Sequence, residues 1–250
     1  MRRMPADSMN IPPSRDLTEV NRDFYDALWA DTYVERPERF NTWGLVAGLL
    51  PQSPARLEVG PGLRPRLPVA GTDFIDLSAT AVARLNALGG RAAEGEITAL
   101  PFATGRFELV AAFDVIEHVE DDRRVFGELA RVLKPGGVLL CSVPLHASHW
   151  TSFDVCVGHA RRYDPAALRR LLAEHGFVIE QSAVFGMQPN NVRLLDYGVR
   201  MLTQRRRQAM RWYNRVFMPL GMLFQKKLKF FPGLLNTDGV HEVALVCRRG

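Results

Sequence analysis

The sequence predicts a doubly wound α/β fold built on a mostly parallel sheet. Three observations carry this reading. Strand-like and helix-like segments alternate from Arg56 to the end of the chain, a glycine loop follows the first strand, and the helices carry their own start and stop residues.

The elements follow in order. Residues 17–50 read as mostly helical, with interleaved aromatics (Phe24, Tyr25, Trp29, Tyr33, Phe40, Trp43) and a break near Pro37. Residues 1–15 are rich in Pro and Met and are expected to be mobile. Arg56–Val59 and Thr72–Asp76 read as strands. Ser78 can cap a helix carrying Val82, Leu85 and Leu88, which Gly89-Gly90 closes. A weak strand precedes Glu96-Ile97, and a strong one covers Phe107–Phe113. The next helix places Val125, Phe126, Leu129, Val132 and Leu133 on one face and stops at Pro135-Gly136-Gly137. "GVLLCSVP" is the strand after it. Asp164-Pro165 then supplies an N-cap and a first-turn proline for a helix striped by Leu168, Leu171 and Leu172. "FVIEQSAVF" and the terminal "HEVALVC" are two further strands.

With 250 residues, 47% of them hydrophobic and 24% charged, the chain can bury one full core. Cys141, Cys156 and Cys247 are few and far apart, which excludes a disulfide framework and a paired zinc motif and makes a reducing cytoplasm the expected compartment. The basic N-terminus has no apolar stretch behind it, so no signal peptide is expected. No apolar run reaches the roughly 18 to 20 residues of a membrane span. The net charge of +5 is concentrated: residues 190–238 hold ten basic against two acidic residues, a net +8, so the other residues sum to −3. The expected organisation is therefore an N-terminal helical lid region at 1–50, a core at 51–189, a basic helical insertion at 190–238 and a last core strand at 239–250.

The loop Glu58-Val59-Gly60-Pro61-Gly62 falls where ligands sit in such sheets, at the carboxyl end of a strand. Glycines let the backbone approach a ligand. Asp76, ending the next strand, can accept two hydrogen bonds from a ribose diol or help cap the Ser78 helix. Between them stand Arg64-Pro65-Arg66-Leu67-Pro68, and two prolines within five residues cannot sit inside a helix. The first crossover helix is accordingly expected to be absent or reduced to a turn.

"LEVGPG", "IDLS", "GEITALPFATGRFELVAAFDVIEHV", "ELARVLKPGGVLLCSVP" and "GHARRY", in this order from Arg56 to Phe185, resemble the class I S-adenosylmethionine-dependent methyltransferases, in particular the small bacterial enzymes of methyltransferase type 11 or 12. The resemblance implies a Rossmann-like seven-stranded sheet with an antiparallel last strand, and S-adenosylmethionine as cofactor. It implies that Glu58, Gly60, Pro61 and Gly62 line the methionine and ribose end, and that Asp76 holds the ribose hydroxyls with Leu77 against the adenine. Glu96 and Ile97 would meet the adenine, and Asp114 the methionine portion. Arg64 stands where the family carries a third glycine, and is expected to pair with the cofactor carboxylate. The missing helix fits this cofactor: a dinucleotide needs a helix N-terminus for its pyrophosphate, whereas S-adenosylmethionine has no phosphate.

A general base is needed only if the acceptor must lose a proton. The candidates are His118, in "DVIEHV", and His159 and Tyr163, in the loop after the fifth strand; His118 and His159 can equally orient loops. "ARRY" reads either as an anion clamp or as an ion-pair corner. "HASH" with Asp154 and Cys156 has irregular spacing, and no metal is expected. The insertion mixes arginines with Trp212, Phe217, Leu223, Phe224 and Phe231. Three readings stay open for it: a lid over the acceptor pocket, a basic amphipathic element at a lipid surface on the inner membrane face, and a nucleic-acid contact. The last is weakened by Asp114-Val115-Ile116 standing where enzymes that methylate base amines carry Asn/Asp-Pro-Pro-aromatic. The expected function is methyl transfer by direct displacement to a small, apolar or lipid-linked acceptor. The rivals are an RNA methyltransferase and a non-catalytic cofactor-binding module.

Overall fold

The computed structural model describes residues 21–22, 25–26, 28–29, 32–186 and 192–250, with backbone only for 192–196. The expected mobility of residues 1–15 lies outside the described residues. Eight strands form one sheet: β1 (Arg56–Val59), β2 (Thr72–Asp76), β3 (Arg91–Glu94), β4 (Phe107–Ala112), β5 (Leu133–Pro144), β6 (Phe177–Val184), β7 (Phe231–Pro232) and β8 (Glu242–Arg249), in the order β3-β2-β1-β4-β5-β8-β6-β7. The pairs β1–β2, β2–β3, β1–β4 and β4–β5 are parallel. The last strand in sequence, β8, inserts antiparallel between β5 and β6, as expected. Strand order reverses at β1, between β2 and β4, so the switch point falls at the carboxyl end of β1.

The sheet has eight strands where seven were expected. The extra one is the two-residue β7 at the edge, formed where the insertion returns along β6, pairing Gln181 with Pro232 and Ser182 with Phe231. Ser182 Oγ fastens it, donating to the Gly233 carbonyl at 2.7 Å and accepting from Leu235 N–H at 2.8 Å. A pair this short leaves no alternating pattern to read, and a proline is tolerated there because an edge strand leaves one side unpaired. A second difference is at β5, which starts at Leu133. Pro135-Gly136-Gly137 lies within it, and the pairing with β4 shifts register between Phe107 and Leu109.

The helix starts obey their capping residues. Ser78 accepts from Ala81 N–H at the start of α2 (Ala79–Ala87), Asp121 from Arg124 N–H at α3 (Asp122–Val132), and Asp164 from Ala167 N–H at α5 (Pro165–Glu174). On α3 the buried side chains are Val125, Phe126, Leu129 and Val132, the stripe the spacing predicts. They join Leu168 and Leu172 of α5 in the main core under the sheet.

No helix connects β1 to β2. Glu58 on β1 fixes this crossover instead: its carboxylate accepts from Arg66 N–H at 2.8 Å and from Leu67 N–H at 2.9 Å. That leaves Leu63 and Leu67 fully buried, and Leu67 packs with Val46 of α1 (Trp43–Leu49) against Leu109 and Leu140. Each such leucine contributes about 1.5–3 kcal/mol of burial, so a loop covers the sheet where a helix normally would.

The described residues between 21 and 29 are helical. They pack on the insertion, which contains α6 (Val192–Gln204), α7 (Arg206–Trp212), a π-turn at Tyr213–Phe217 and α8 (Met218–Leu223). Leu28 and Trp29 meet Met210, while Phe40 meets Met218 and Met222. The two segments distant in sequence therefore form one cover. Among the described residues, no helix is long and apolar enough to cross a membrane.

Candidate active site

A cavity of about 1380 Å³ lies between this cover and the carboxyl ends of β1, β2 and β4. It exceeds the roughly 300–1,000 Å³ of a single small-ligand pocket, so it has room for a second molecule. Every expected cofactor residue lines it: Glu58, Gly60, Pro61, Gly62, Arg64, Asp76, Leu77, Glu96, Ile97 and Asp114.

The glycine loop is close-packed and bent. Gly60 and Gly62 take φ of +65° and +53°, and an added Cβ would lie 2.4 Å from Val115 Cγ2 and 2.2 Å from Trp29 Cζ2 respectively. Only glycine fits a cradle of this kind. Asp76 closes it from the β2 side, accepting from Gly62 N–H and from Ser78 N–H, both at 2.8 Å. The capping reading of Asp76 is seen directly: one carboxylate orders the loop and the start of α2, and it also lines the cavity. Burial raises its pKa to about 6 against these hydrogen bonds, and neighbouring Asp26 adds to the rise. Burial likewise raises Glu58 to about 7. These residues fit S-adenosylmethionine: a glycine cradle, a carboxylate at the end of β2, and no helix N-terminus for a pyrophosphate.

Asp114 has a positive φ of 56°, a conformation that Asp tolerates better than most residues. It is held by Ser142, whose Oγ accepts from Asp114 N–H at 2.9 Å and donates to Oδ1 at 2.5 Å. Arg64 departs from expectation. Its guanidinium donates to Tyr213 Oη at 3.2 Å and Asn214 Oδ1 at 3.1 Å, and lies over the Trp29 and Tyr213 rings at 5.1 and 5.0 Å. It clasps the cover to the cofactor loop, because the aromatic and amide partners arrive from a segment 150 positions away.

The acceptor side is built from a turn after β4 and from α4 (Ser152–Val157) with the loop that follows. His118 and His159 both line the cavity, their rings 4.8 Å apart and nearly perpendicular. His159 Nδ1 contacts Asp154 Oδ1 at 2.8 Å, and Asp154 also accepts from Arg162 Nε at 2.8 Å and Nη2 at 2.9 Å. Thr151 completes a capping box on the same carboxylate. These hydrogen bonds hold the Asp154 carboxyl well below its usual range despite burial. His118 Nδ1 faces the Gly158 carbonyl at 3.2 Å, and Tyr25 Oη contacts its Nε2 at 3.2 Å. Burial, then the neighbouring His159, lowers His118 to about 3, so it is neutral.

Tyr163, expected among the catalytic candidates, does not line the cavity. It is buried in the main core, and its backbone pairs with Pro144 and His146. Its position in a bridge to Leu145 turns the ring inward, away from any acceptor. "ARRY" is an ion-pair corner: Arg161 meets Asp122 at 2.5 Å and Arg162 meets Asp154. The "HASH" histidines are separated from Asp154: His146 contacts the Thr237 carbonyl, and His149 stacks on His241.

Four contributors were not expected. Tyr25 and Trp29 come from the cover, Glu242 stands half-buried at the start of β8, and Glu117 precedes His118. Burial raises Glu117 and Glu242 well above the carboxylate range, with Asp114 adding to both. Neither glutamate belongs to a spacing that reads as a site; only the sheet brings the start of β8 beside the end of β5, Glu242 opposite Pro144. Among the described residues one group of potential metal ligands occurs, Glu117, His118 and His159, with donor atoms within 4.8 Å of one another.

Residues 64–141 match the family model of a methyltransferase domain. A relative from Mycolicibacterium smegmatis, described as a probable S-adenosylmethionine-dependent methyltransferase, is 34% identical over 35% of each chain. The chain thus matches only about a third of that relative's length. An uncharacterized methyltransferase from Mycolicibacterium gilvum is 25% identical over 91% of this chain and 85% of its own. Among solved structures, a SAM-dependent methyltransferase from Thermotoga maritima covers 94% of this chain and 96% of its own at a TM-score of 0.57 and 15% identity. The [4+2]-cyclase SpnF covers 96% and 98%, also at 0.57, with 18% identity. The two solved structures share this fold.

Proposed function

From a fold and a matched domain of the class I S-adenosylmethionine-dependent methyltransferases, with S-adenosylmethionine as the implied cofactor, we propose that this chain transfers a methyl group to a small, apolar or lipid-linked acceptor. The observation that carries the proposal is the single cavity lined by the Gly60–Gly62 cradle and Asp76 at one end and by Glu117, His118 and His159 at the other.

The cofactor, when bound, supplies an electrophilic methyl group on a sulfonium. The chain's own residues do the rest. Asp76 would hold the ribose hydroxyls, and the Gly60–Gly62 cradle would let the loop backbone approach the cofactor. The cover excludes water and aligns the acceptor, and alignment of this kind supplies on the order of 7–11 kcal/mol. Direct displacement at that methyl group would join it to the aligned acceptor atom and leave the electron pair of the broken sulfur–carbon bond on sulfur. An acceptor hydroxyl must also lose its proton, and the histidine–glutamate end of the cavity is where the lone pairs for that task stand.

The apolar character of the acceptor is supported by the cover's inner residues, Leu28, Trp29, Met201, Leu202, Met210 and Met218. Its outer face supports a lipid source. Leu223 is 74% exposed, Phe224 80% and Phe231 48%, close in sequence to Lys226, Lys227 and Lys229. Exposed aromatics among basic residues suit an anionic lipid interface.

SpnF, by its name a cyclase, bears the same fold, so chemistry has to be tested directly. Calorimetry with S-adenosylmethionine and its demethylated product comes first, followed by transfer of a labelled methyl group to an extract fractionated into lipid, small-molecule and RNA pools. Binding of both ligands and label in the lipid or apolar small-molecule pool is expected. Absence of binding overturns the reading, and label in RNA transfers it to the nucleic-acid alternative.

A further inference from the structure

We infer that Glu117, His118 and His159 form a site for one divalent first-row transition-metal ion, facing the acceptor end of the cavity. The metal-ligand site stands on its own geometry. Its use in activating the acceptor rests on the methyl-transfer reading above.

The tautomers of both histidines are set by the partners of their Nδ1 atoms. His159 Nδ1 lies 2.8 Å from the ionised Asp154, so it carries the proton and donates. His118 Nδ1 lies 3.2 Å from the Gly158 carbonyl, which can only accept, so it too carries the proton. Both Nε2 atoms therefore present lone pairs. His159 Nε2 points at Glu117 Oε1 across 3.9 Å, too far for a hydrogen bond. Glu117 is 2% exposed and its Oε2 has no hydrogen-bond partner. Three potential ligand residues thus converge in a buried place, where Glu117 Oε2 has no hydrogen-bond partner and His118 Nε2 meets only Tyr25 Oη at 3.2 Å.

Buried acceptors left unmatched are costly, and a cation is the species that matches several at once. Two imidazoles and one carboxylate are the ligand set of zinc, iron(II), cobalt(II) and their neighbours; magnesium and calcium prefer oxygen alone. Donors at about 2.0–2.1 Å from a tetrahedral ion sit roughly 3.4 Å apart, so a spread within 4.8 Å needs only a small closure. The outer contacts are those of a metal centre as well. An imidazole that ligates by one nitrogen commonly donates from the other to a carboxylate or carbonyl, as His159 does to Asp154 and His118 to Gly158. Three protein ligands leave a position open to the cavity. An acceptor hydroxyl bound there would lose its proton to solvent more readily, because a bound cation lowers its pKa.

Tyr25 Oη is the local competitor, since it occupies His118 Nε2 at 3.2 Å. This gives the test a second arm. The full-length protein, stripped with a chelator, is titrated with cobalt(II) and the visible ligand-field absorption is read. One equivalent is expected, with affinity lowered at least tenfold in Glu117→Gln and in His159→Gln, and raised in Tyr25→Phe. Circular dichroism melts accompany each variant, and Glu117→Gln preserves shape and hydrogen-bonding capacity. Absence of a saturable signal, or unchanged affinity in Glu117→Gln, overturns the inference. Calorimetry with the demethylated cofactor on the same samples separates the two readings. Cofactor binding without cobalt binding removes the metal site alone, and cobalt binding without cofactor binding removes methyl transfer alone.

Discussion

Arg64 Nη2 donates to Asn214 Oδ1 at 3.1 Å, and Asn214 Nδ2 in turn donates to the Leu28 carbonyl at 2.8 Å. One buried asparagine therefore ties the cofactor loop, the N-terminal helical segment and the insertion together. The residue at the position of a family glycine is a clasp, and the cover it fastens forms one wall of the cavity.

Arg64→Ala should consequently loosen the cover more than it weakens cofactor binding. Two hydrogen bonds and two cation–π contacts of modest strength are lost, together about 1–2 kcal/mol, which raises the open population roughly 5–30-fold. Hydrogen exchange across Tyr213–Phe217 measures the opening, while the calorimetric Kd for the demethylated cofactor should change less than about threefold. A tenfold or larger loss of affinity would restore the direct pairing with the cofactor.

Gly62→Ala should act the other way. Its Cβ would meet the Trp29 ring at 2.2 Å at a φ of +53°, so either the loop or the helical segment must move. Strain at such a position costs on the order of 1–3 kcal/mol, and cofactor affinity should fall about 5- to 150-fold with the core still folded. Wild-type affinity in this variant would show that the cradle is not a cofactor contact.

The pH dependence of cofactor binding follows from Asp76. Its pKa without ligand is raised to about 6, and on the proposed reading the ribose diol would be held by the ionised form. Affinity should therefore be constant above about pH 7 and fall as pH drops through 6, approaching tenfold per unit for a single proton. Calorimetry from pH 5 to 8 checks this, and Asp76→Asn should bind weakly with a flat profile.

Asp154 is predicted to matter for stability first. It and Arg162 are fully buried and paired, so Asp154→Asn leaves a buried guanidinium without its charge partner, at about 3–5 kcal/mol. For a chain of this size that is about 6–20 °C in Tm. Because the folded pKa is depressed below the ordinary 3.8, this contribution is present above that value and is lost as pH falls below it. Equal melting temperatures for the variant and wild type at neutral pH would contradict the assignment.

The exposed apolar rim of α8 makes a further demand. Vesicles of phosphatidylglycerol and phosphatidylcholine should carry the protein in flotation, and Leu223→Asp with Phe224→Asp should abolish this without changing cofactor affinity. Retention by neutral vesicles alone would point away from the basic residues, and no flotation would leave the lid reading in place.

Local pattern was enough for much of this molecule. The alternation of elements, the capping residues Ser78 and Asp164, the stripe on α3 and the helix-free crossover at Pro65 and Pro68 follow from short-range chemistry, which a linear reading can register, whereas the antiparallel β8 was implied by the family resemblance alone. The proposed cofactor end was legible for the same reason: Gly60, Gly62 and Asp76 are close in sequence and line one end of the cavity. The acceptor end was not. Tyr25 meets His118 across 93 positions, Arg64 meets Asn214 across 150, and Asp154 takes both His159 and Arg162 in a network that no single spacing announces. Tyr163 was misplaced because its side chain's direction depends on a bridge to Leu145. Which lone pairs of His118 and His159 remain free was decided only by the carbonyl and carboxylate that the fold sets against their other nitrogens, since a tautomer is fixed by a partner in space.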